Sequence, residues 1–340
     1  MATNRNPPRP LDWERAGAVL REAELSFPES PLPGLQSILR PLLAGEPDEA
    51  EAGFALLPWR EGLDETRWIG SPGHNGLVRE KDPGRPEERR HARTVLDEYQ
   101  GRYRSAMAGI DRQLAEARKT GFPRDVEWPI HQKVILLVLG YRDVAAARKA
   151  EEELPADAPW LIDLCLLQGD VDRAASLPPA ALNLLPGGED RVVADRLRKS
   201  GRIAEAIPVY EKLAGSYAIP RVYEWLYTLG ELYLQTGQPL KAVASLRRLQ
   251  STFPQRLWWQ PGGQVFVHRF TSSFHLLGQA YERAGDRDRA LEAYKRFLHI
   301  WSAADPDLEE LQNARARVAA LSSPPKAAAA GSSSPAPRAR

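Results

Sequence analysis

The sequence predicts an all-α protein in which helical hairpins stack side by side into a curved solenoid. Two stretches carry this prediction: LGQAYERAGDRDRALEAYKRF, which starts at Leu277, and EWLYTLGELYLQTGQPLKAVASLRRLQSTFP, which starts at Glu224. In each stretch, apolar residues recur at helical spacing on both sides of a glycine. A glycine just after a periodic segment ends a helix because it adopts the left-handed conformation at little cost. Each stretch therefore predicts two antiparallel helices joined by a tight turn.

The C-terminal hairpin illustrates the packing that this pattern requires. Its first helix is predicted to end near Ala284 and its second to begin near Asp288, with Gly285 in the turn. Gly278 and Ala290 are small, and we expect them to face each other where the two backbones approach most closely. The residues expected on the inner faces are Phe274, Leu277, Gly278 and Tyr281, followed by Ala290, Leu291, Tyr294, Phe297, Leu298 and Trp301.

Both stretches share one order of residues, which is Leu-Gly, Tyr, Gly and Ala at fixed offsets. In the upstream copy it comprises Leu226, Leu229, Gly230, Tyr233, Gly237, Ala242, Leu246 and a closing Pro254. This order resembles the 34-residue pattern of the tetratricopeptide-repeat (TPR) family, and the C-terminal end looks like that of many bacterial members. The resemblance implies a right-handed superhelix of hairpins. It also implies that the first helix of each hairpin lines an inner groove.

Three segments further upstream repeat the pattern in weaker form. They predict turns at Gly140, Gly169 and Gly201, in addition to those at Gly237 and Gly285. The intervals between these glycines scatter around the family's period. The last interval holds an insertion, LWWQPGGQVFVHRF, which spans residues 257–270.

A terminal helix is predicted to close the stack. Asp305 is the expected N-cap and Pro306 the first helical residue. The helix carries a single apolar stripe of Leu308, Leu311, Val318 and Leu321, with charged residues elsewhere. A helix with one apolar side suits the end of an open stack, so we expect the repeats and this lid to occupy residues 126–321.

The two ends and the first third show no repeat. Residues 1–10 and 322–340 have the composition of disordered segments, the latter being rich in Ser, Pro and Ala. Residues 11–125 are predicted to form an irregular helical region that includes a Gly- and Pro-rich loop at 58–86. A single long helix is expected from Pro86 to Lys119, because Val95, Tyr99, Tyr103, Met107 and Ile110 recur at three- or four-residue spacing.

Composition excludes several classes of protein. The formal net charge is +1, which provides no general attraction to nucleic acid or to anionic membranes. The N-terminus has no apolar signal segment, and the apolar run at 134–140 is too short to cross a bilayer. Cys165 is the only cysteine, and its inner position in a hairpin predicts a buried small hydrophobe. We expect a soluble cytoplasmic protein that binds neither membrane nor nucleic acid.

Catalytic and metal-binding patterns are weak. The six histidines lack metal-ligand spacing, and no kinase or serine-hydrolase motif occurs, so we expect no cofactor, no metal and no catalytic residues. Glu61, Asp64 and Glu65 lie near Trp59 and Trp68, and we interpret them as solvated loop charges. His74, in a Gly-rich stretch, is interpreted as part of a surface turn.

Candidate binding residues come from two places. By resemblance, the groove positions are Arg191, Asp195, Arg198, Tyr227, Glu231, Gln235, His275 and Gln279. Tyr227, Glu231, His275 and Gln279 stand where chaperone-binding members carry a Lys and Asn carboxylate clamp, which argues against that clamp here. The insertion adds the large apolar side chains of Trp258, Trp259, Phe266 and Phe270. Such aromatics are either partner-binding anchors or a cover for the gap between hairpins, and the second is favoured.

The function predicted from these features is that of a non-catalytic scaffold or adaptor. It would bind a peptide or protein segment in the groove or at the insertion. One alternative is an enzyme with a site in residues 50–90 that uses the solenoid for docking. Another is a regulatory subunit of a signalling or transcription complex.

Overall fold

The structure, a computed structural model, describes residues 86–155, 157–158, 161–178, 187–216, 222–251 and 263–323. These residues form helices and turns, and no strand occurs among them. The α-helices are α1 Pro86–Tyr99, α2 Tyr103–Thr120, α3 Glu127–Ile135, α4 Val144–Glu151, α5 Leu161–Leu167, α6 Val171–Ser176, α7 Gly188–Lys199, α8 Ile203–Ser216, α9 Val222–Gln235, α10 Pro239–Ser251, α11 Gly263–Arg283, α12 Arg287–Ile300 and α13 Glu309–Ser322. A 3₁₀ turn, Pro123–Val126, precedes α3, and a π-helical segment, Leu136–Gly140, follows it. None of the described helices combines the length and apolar character needed to cross a membrane.

The hairpins α9–α10 and α11–α12 confirm the two strongest predictions. Their turns hold Gly237 and Gly285 in the left-handed region, at φ of 70° and 79°. In each turn, the amide of the residue after the glycine donates to the carbonyl five residues earlier; Asp286 N donates to Tyr281 O at 2.9 Å, for example. The Asp286 carboxylate then accepts from Arg289 N and caps α12. The predicted turns at Gly169 and Gly201 have the same backbone.

The close approach within the hairpins differs in detail from the prediction. A Cβ atom on Gly278 would lie 2.7 Å from the ring of Tyr294, and one on Gly230 would lie 2.8 Å from the Leu246 side chain. Gly278 therefore makes room for Tyr294, one turn beyond the Ala290 that we expected. In both hairpins, the side chain that the glycine accommodates lies on the second helix, at the same position of the repeat.

The predicted turn at Gly140 is wrong. Gly140 lies in the π-helical segment, and the residue in the left-handed region is Arg142, at φ 57°. The absent side chain at Gly140 instead leaves space for its neighbours, because a Cβ there would lie 2.8 Å from Leu136 and 3.1 Å from the Tyr103 ring. Gly140 therefore serves close packing and does not form a turn.

The predicted long helix from Pro86 to Lys119 is also wrong, because it is a hairpin. Gly101, at φ 72°, ends α1, and Arg102 N donates to Asp97 O at 2.8 Å, as in the repeat turns. Tyr103 continues the apolar spacing of Tyr99, so periodicity alone does not reveal that a helix ends between them. A further helical hairpin, α1–α2, therefore precedes the predicted start of the repeats at residue 126.

Hairpin α1–α2 packs against the C-terminal end of the chain. Asp305 N donates to Gly101 O at 3.0 Å, and the Asp305 carboxylate accepts from Arg104 N at 2.9 Å. Asp305 therefore caps α2 from a distant part of the sequence and is not the N-cap of the terminal helix. That helix, α13, begins at Glu309 and buries Leu311 and Ala314. The helix buries one apolar side, as the predicted stripe requires, although it starts three residues later. Its role as a lid on the stack stays a prediction.

Substitution of Gly101 by Ala tests this junction. A Cβ at Gly101 would lie 2.8 Å from Ala304 Cβ and 2.9 Å from the Trp301 ring. Gly121 has the same φ of 72° and no atom within 4 Å of such a Cβ, so it is a matched control. Both substitutions incur a backbone cost of about 1–2 kcal/mol. Gly101→Ala should cost about 1–3 kcal/mol more in the free energy of unfolding, measured by urea denaturation. Equal losses in the two variants would show that the junction has room to adjust.

Candidate functional site

The structure brings the predicted groove residues onto neighbouring helices, but it buries half of them. Arg191, Asp195, Tyr227 and His275 are 4–7% exposed. Arg198, Glu231 and Gln279 are partly exposed, and Gln235 is exposed. We call these last four residues the polar rim. The buried four contact other parts of the chain, which determines what each can do.

Arg191, on α7, is the centre of a buried ionic cluster. Its guanidinium lies 3.2 Å from Asp163, 2.5 Å from Glu224 and 3.6 Å from Asp195. Burial opposes the charge, but the carboxylates, Glu224 foremost, outweigh it and hold the Arg191 pKa above its ordinary value. Arg191 therefore stays charged and joins α5, α7 and α9.

Asp195 completes this cluster on the side of α8. Its carboxylate accepts a hydrogen bond from the Tyr210 hydroxyl and lies 3.2 Å from the Arg198 guanidinium. Burial and the neighbouring Asp195 charge raise the pKa of Tyr210 well above its usual value. Asp195 thus braces the α7–α8 hairpin, and of these residues only Arg198 extends toward solvent.

His275 and Tyr227 are also engaged within the chain. His275 Nε2 lies 3.0 Å from Asn313 Oδ1 on α13, and its ring packs on Tyr294 and Phe297. The Arg269 guanidinium lies 4.4 Å from the centre of the Tyr227 ring. Burial, followed by the charge of Glu231, raises the Tyr227 pKa, so the phenol stays protonated at neutral pH.

The inner face of α11 is covered by the chain's own helix α1. Glu98 on α1 pairs with His268 on α11, with Oε2 and Nε2 3.1 Å apart and both side chains buried. The Thr271 hydroxyl approaches Tyr99 O at 3.4 Å. His268, Thr271 and His275 follow one another at three- and four-residue spacing, so they share a face of α11. On this face of α11, where the groove residue His275 was predicted, the chain's own helix α1 therefore occupies part of the surface.

The insertion at 257–270 is partly a helix extension. Its last residues form the first two turns of α11, and Phe266 and Phe270 are buried there. Phe266 packs edge-on against Tyr223 with ring centres 5.1 Å apart. These two rings therefore belong to the core and cannot present their faces to a partner. Trp258 and Trp259 lie outside the described residues.

Two small cavities flank the Arg191–Glu224 pair. One of about 10 Å³ includes His131 and Asp163 in its lining, and one of about 20 Å³ includes Arg198 and Arg269. Cavities of this size hold a water molecule or a single polar group of a ligand. The predicted loop residues Glu61, Asp64, Glu65 and His74 lie outside the part of the chain that the structure describes. Within the described part, no group of three or more His, Cys, Asp or Glu side chains could hold a metal ion.

Cys165 is buried, as predicted, and its thiol should be unreactive in the folded protein. Burial is the main cause that raises the pKa of Cys165 to about 11. Thiolate is the reactive form, so its fraction at pH 8 is small and rises only as the pH approaches 11. We expect no measurable alkylation by iodoacetamide at pH 8 and complete alkylation in denaturant. Because the chain has one cysteine, the mass change reports this site alone; rapid native labelling would contradict its burial.

Comparison with known proteins agrees with the hairpin geometry. Two tetratricopeptide-repeat models match the chain, at residues 226–256 and 273–300. These ranges cover hairpin α9–α10 and most of hairpin α11–α12. No curated protein matches the chain. The left-handed turn glycines and these two matches show that hairpins α9–α10 and α11–α12 are tetratricopeptide repeats.

Proposed function

We propose that this protein is a non-catalytic adaptor that binds a segment of another protein. Tetratricopeptide repeats are generally protein–protein interaction modules and are typically non-catalytic. A cytoplasmic location is part of the proposal and suits a chain whose only cysteine is a buried thiol. The partner would be a protein or peptide, and neither nucleic acid nor membrane would be required.

The observation that carries the proposal is the contrast between the filled interior and the polar rim. Helix α1 occupies part of the inner face, and the cavities beside Arg191 are too small for most organic substrates. Arg198, Glu231, Gln235 and Gln279 remain accessible on the first helices of successive hairpins. Their mixture of positive, negative and amide groups suits hydrogen bonding to a polypeptide.

Site-specific crosslinking tests this proposal. A photoreactive amino acid at Gln235 should give discrete crosslinked species in the native cell, because the rim contacts a partner. The same group at Lys295, which is exposed on α12, is the matched control. Charge reversal at Arg198, as Arg198→Glu, should reduce the Gln235 product. Equal products from both positions, or none from either, would count against a binding rim.

The insertion is a second place where a partner could bind. Trp258→Ala combined with Trp259→Ala should leave the Gln235 crosslink unchanged if the rim alone binds the partner. Loss of that crosslink in the double variant would assign part of the interface to residues 257–262.

A further inference from the structure

We propose that Arg269 is the binding site for a carboxylate group of the protein partner. This inference rests on the proposed function and specifies the chemistry that the rim recognises. It also assigns the insertion's part in binding to an arginine instead of to the aromatic rings on either side of it.

The helix extension determines where Arg269 lies. Val265, Phe266, Val267, His268 and Phe270 are all buried, and among residues 265–270 only Arg269 keeps accessible surface. The guanidinium lies over the Tyr227 ring, 4.4 Å from its centre. A guanidinium stacked in this way is held in one plane, which leaves its N–H edge free to donate.

Arg269 lacks the anion that its neighbours have. Within the described residues, no ion pair joins Arg269 to a carboxylate, and its buried Nε has no hydrogen-bond acceptor. Arg191 is paired with Asp163, Asp195 and Glu224, and Arg198 is paired with Asp195. A buried guanidinium N–H without an acceptor is unfavourable, so an incoming acceptor that bonds to it removes that cost.

The cavity of about 20 Å³ lies between these groups. Arg191, Arg198, Thr228 and Arg269 contribute to its lining together with Asp195 and Glu224. Its volume is about that of one or two oxygen-sized atoms, which suits the two oxygens of a carboxylate. Nε and one Nη of arginine form a fork that matches this planar group.

The size of the cavity favours a carboxylate over a phosphate. A volume of about 20 Å³ suits the two oxygens of a carboxylate and is too small for the four oxygens of a phosphate. Asp195 and Glu224 line the cavity, and Glu231 acts on the same Tyr227 hydroxyl as Arg269. These carboxylates repel an incoming anion, and Glu231 forms none of the ion pairs found among the described residues, so its negative charge weakens binding.

Arginine Nε–H resonances in ¹H–¹⁵N NMR spectra of the full chain test the site, with acetate as the probe. The Arg269 resonance is assigned by its loss in Arg269→Gln. We expect it to shift downfield and to saturate as acetate is added, with no such shift in sodium chloride at the same ionic strength. Glu231→Gln should bind acetate several-fold more tightly, because a like charge is removed. Arg315→Gln, an exposed change on α13, should leave acetate binding unaltered.

Three outcomes would overturn the proposal: no acetate-specific shift of Arg269, weaker acetate binding in Glu231→Gln, or a Gln235 crosslink that is unchanged in Arg269→Gln. The Glu231→Gln result keeps the test valid even if Arg269→Gln folds poorly. Two short peptides then distinguish the source of the carboxylate. One has an amidated C-terminus and an internal glutamate, and the other has a free C-terminus and no acidic side chain.

The outcomes for the site and for the adaptor function are separable. If the Gln235 crosslink persists unchanged in Arg269→Gln, the adaptor function stands and the carboxylate site is not part of it. If acetate binds Arg269 but no crosslink forms at the rim, the site exists and the adaptor function fails.

Discussion

Arg191→Leu is expected to lower the free energy of unfolding by about 3–5 kcal/mol, because it leaves buried carboxylates without their cation. Asp163, Asp195 and Glu224 surround a guanidinium that is 4% exposed. Leucine fills some of the space but cannot offset their charge. Urea denaturation of the two proteins at neutral pH measures the loss.

A second substitution at the same position, measured in the same way, separates the charge of Arg191 from its shape. Arg191→Lys keeps a positive charge but loses the planar fork that reaches several carboxylates at once, so it should recover only part of the lost stability. Equal losses in Arg191→Lys and Arg191→Leu would show that the charge itself contributes little.

The matched control for Arg191 is an exposed arginine with an acidic partner. Arg118 pairs with Glu153 at 2.5 Å, and the two side chains are 54% and 48% exposed. Arg118→Leu should cost at most about 1 kcal/mol, because solvent screens such a pair. A loss in Arg191→Leu no larger than in this control would show that the buried cluster contributes little.

Trp301→Ala is expected to cost about 3–5 kcal/mol, because it removes a large side chain that is 1% exposed. Trp301 follows α12 and contacts hairpin α1–α2, at the other end of the described helices. Its ring packs edge-on against Tyr103 at 5.7 Å and lies 4.5 Å from Phe297, and its Nε1 donates to Tyr99 O at 3.2 Å. We expect the variant to unfold at a lower urea concentration.

Hydrogen exchange locates the effect of Trp301→Ala. Amides of the second half of α1 and the start of α2, near residues 94–110, should lose more protection than those of α9 and α10. Leu240→Ala is the control, since Leu240 is 72% exposed and its loss should leave stability almost unchanged. Uniform loss of protection across all helices would mean that the junction does not open by itself.

Local features of the fold could be predicted from the sequence because their causes lie within one hairpin. Gly237 and Gly285 follow periodic helical segments, and a left-handed glycine after such a segment needs no distant contact. Gly278 and Gly230 likewise lie in the same hairpin as the side chains that they accommodate, Tyr294 and Leu246. Burial of Cys165 followed from its position in the same pattern.

Periodicity failed where two helices continue the same spacing across a turn. Tyr99 and Tyr103 are four residues apart and both are buried, so the stretch looks like one helix face. Gly101 indicates a turn, but the prediction followed the apolar spacing and gave a single helix. At Gly140 the opposite occurred, because a glycine that makes room for Tyr103 was interpreted as a turn.

The candidate site was predictable only as a set of positions. Arg191, Tyr227 and His275 do lie on first helices of successive hairpins, but their burial depends on residues far away in the chain. Arg269 was absent from the predicted residues, although arginine is a common binding anchor and the insertion contains it. Its stacking on Tyr227 joins two helices whose relative position no local pattern specifies.

By itself, the sequence determined that the chain forms helical hairpins with glycine turns, because helix period, capping and small-residue contacts act over a few residues. Only the tertiary structure decided that hairpin α1–α2 covers the inner face of α11. The contacts responsible, such as Glu98 with His268 and Tyr99 with Trp301, join residues that are 170 and 202 positions apart. Such pairs depend on how the intervening hairpins stack on one another, so no short segment encodes them.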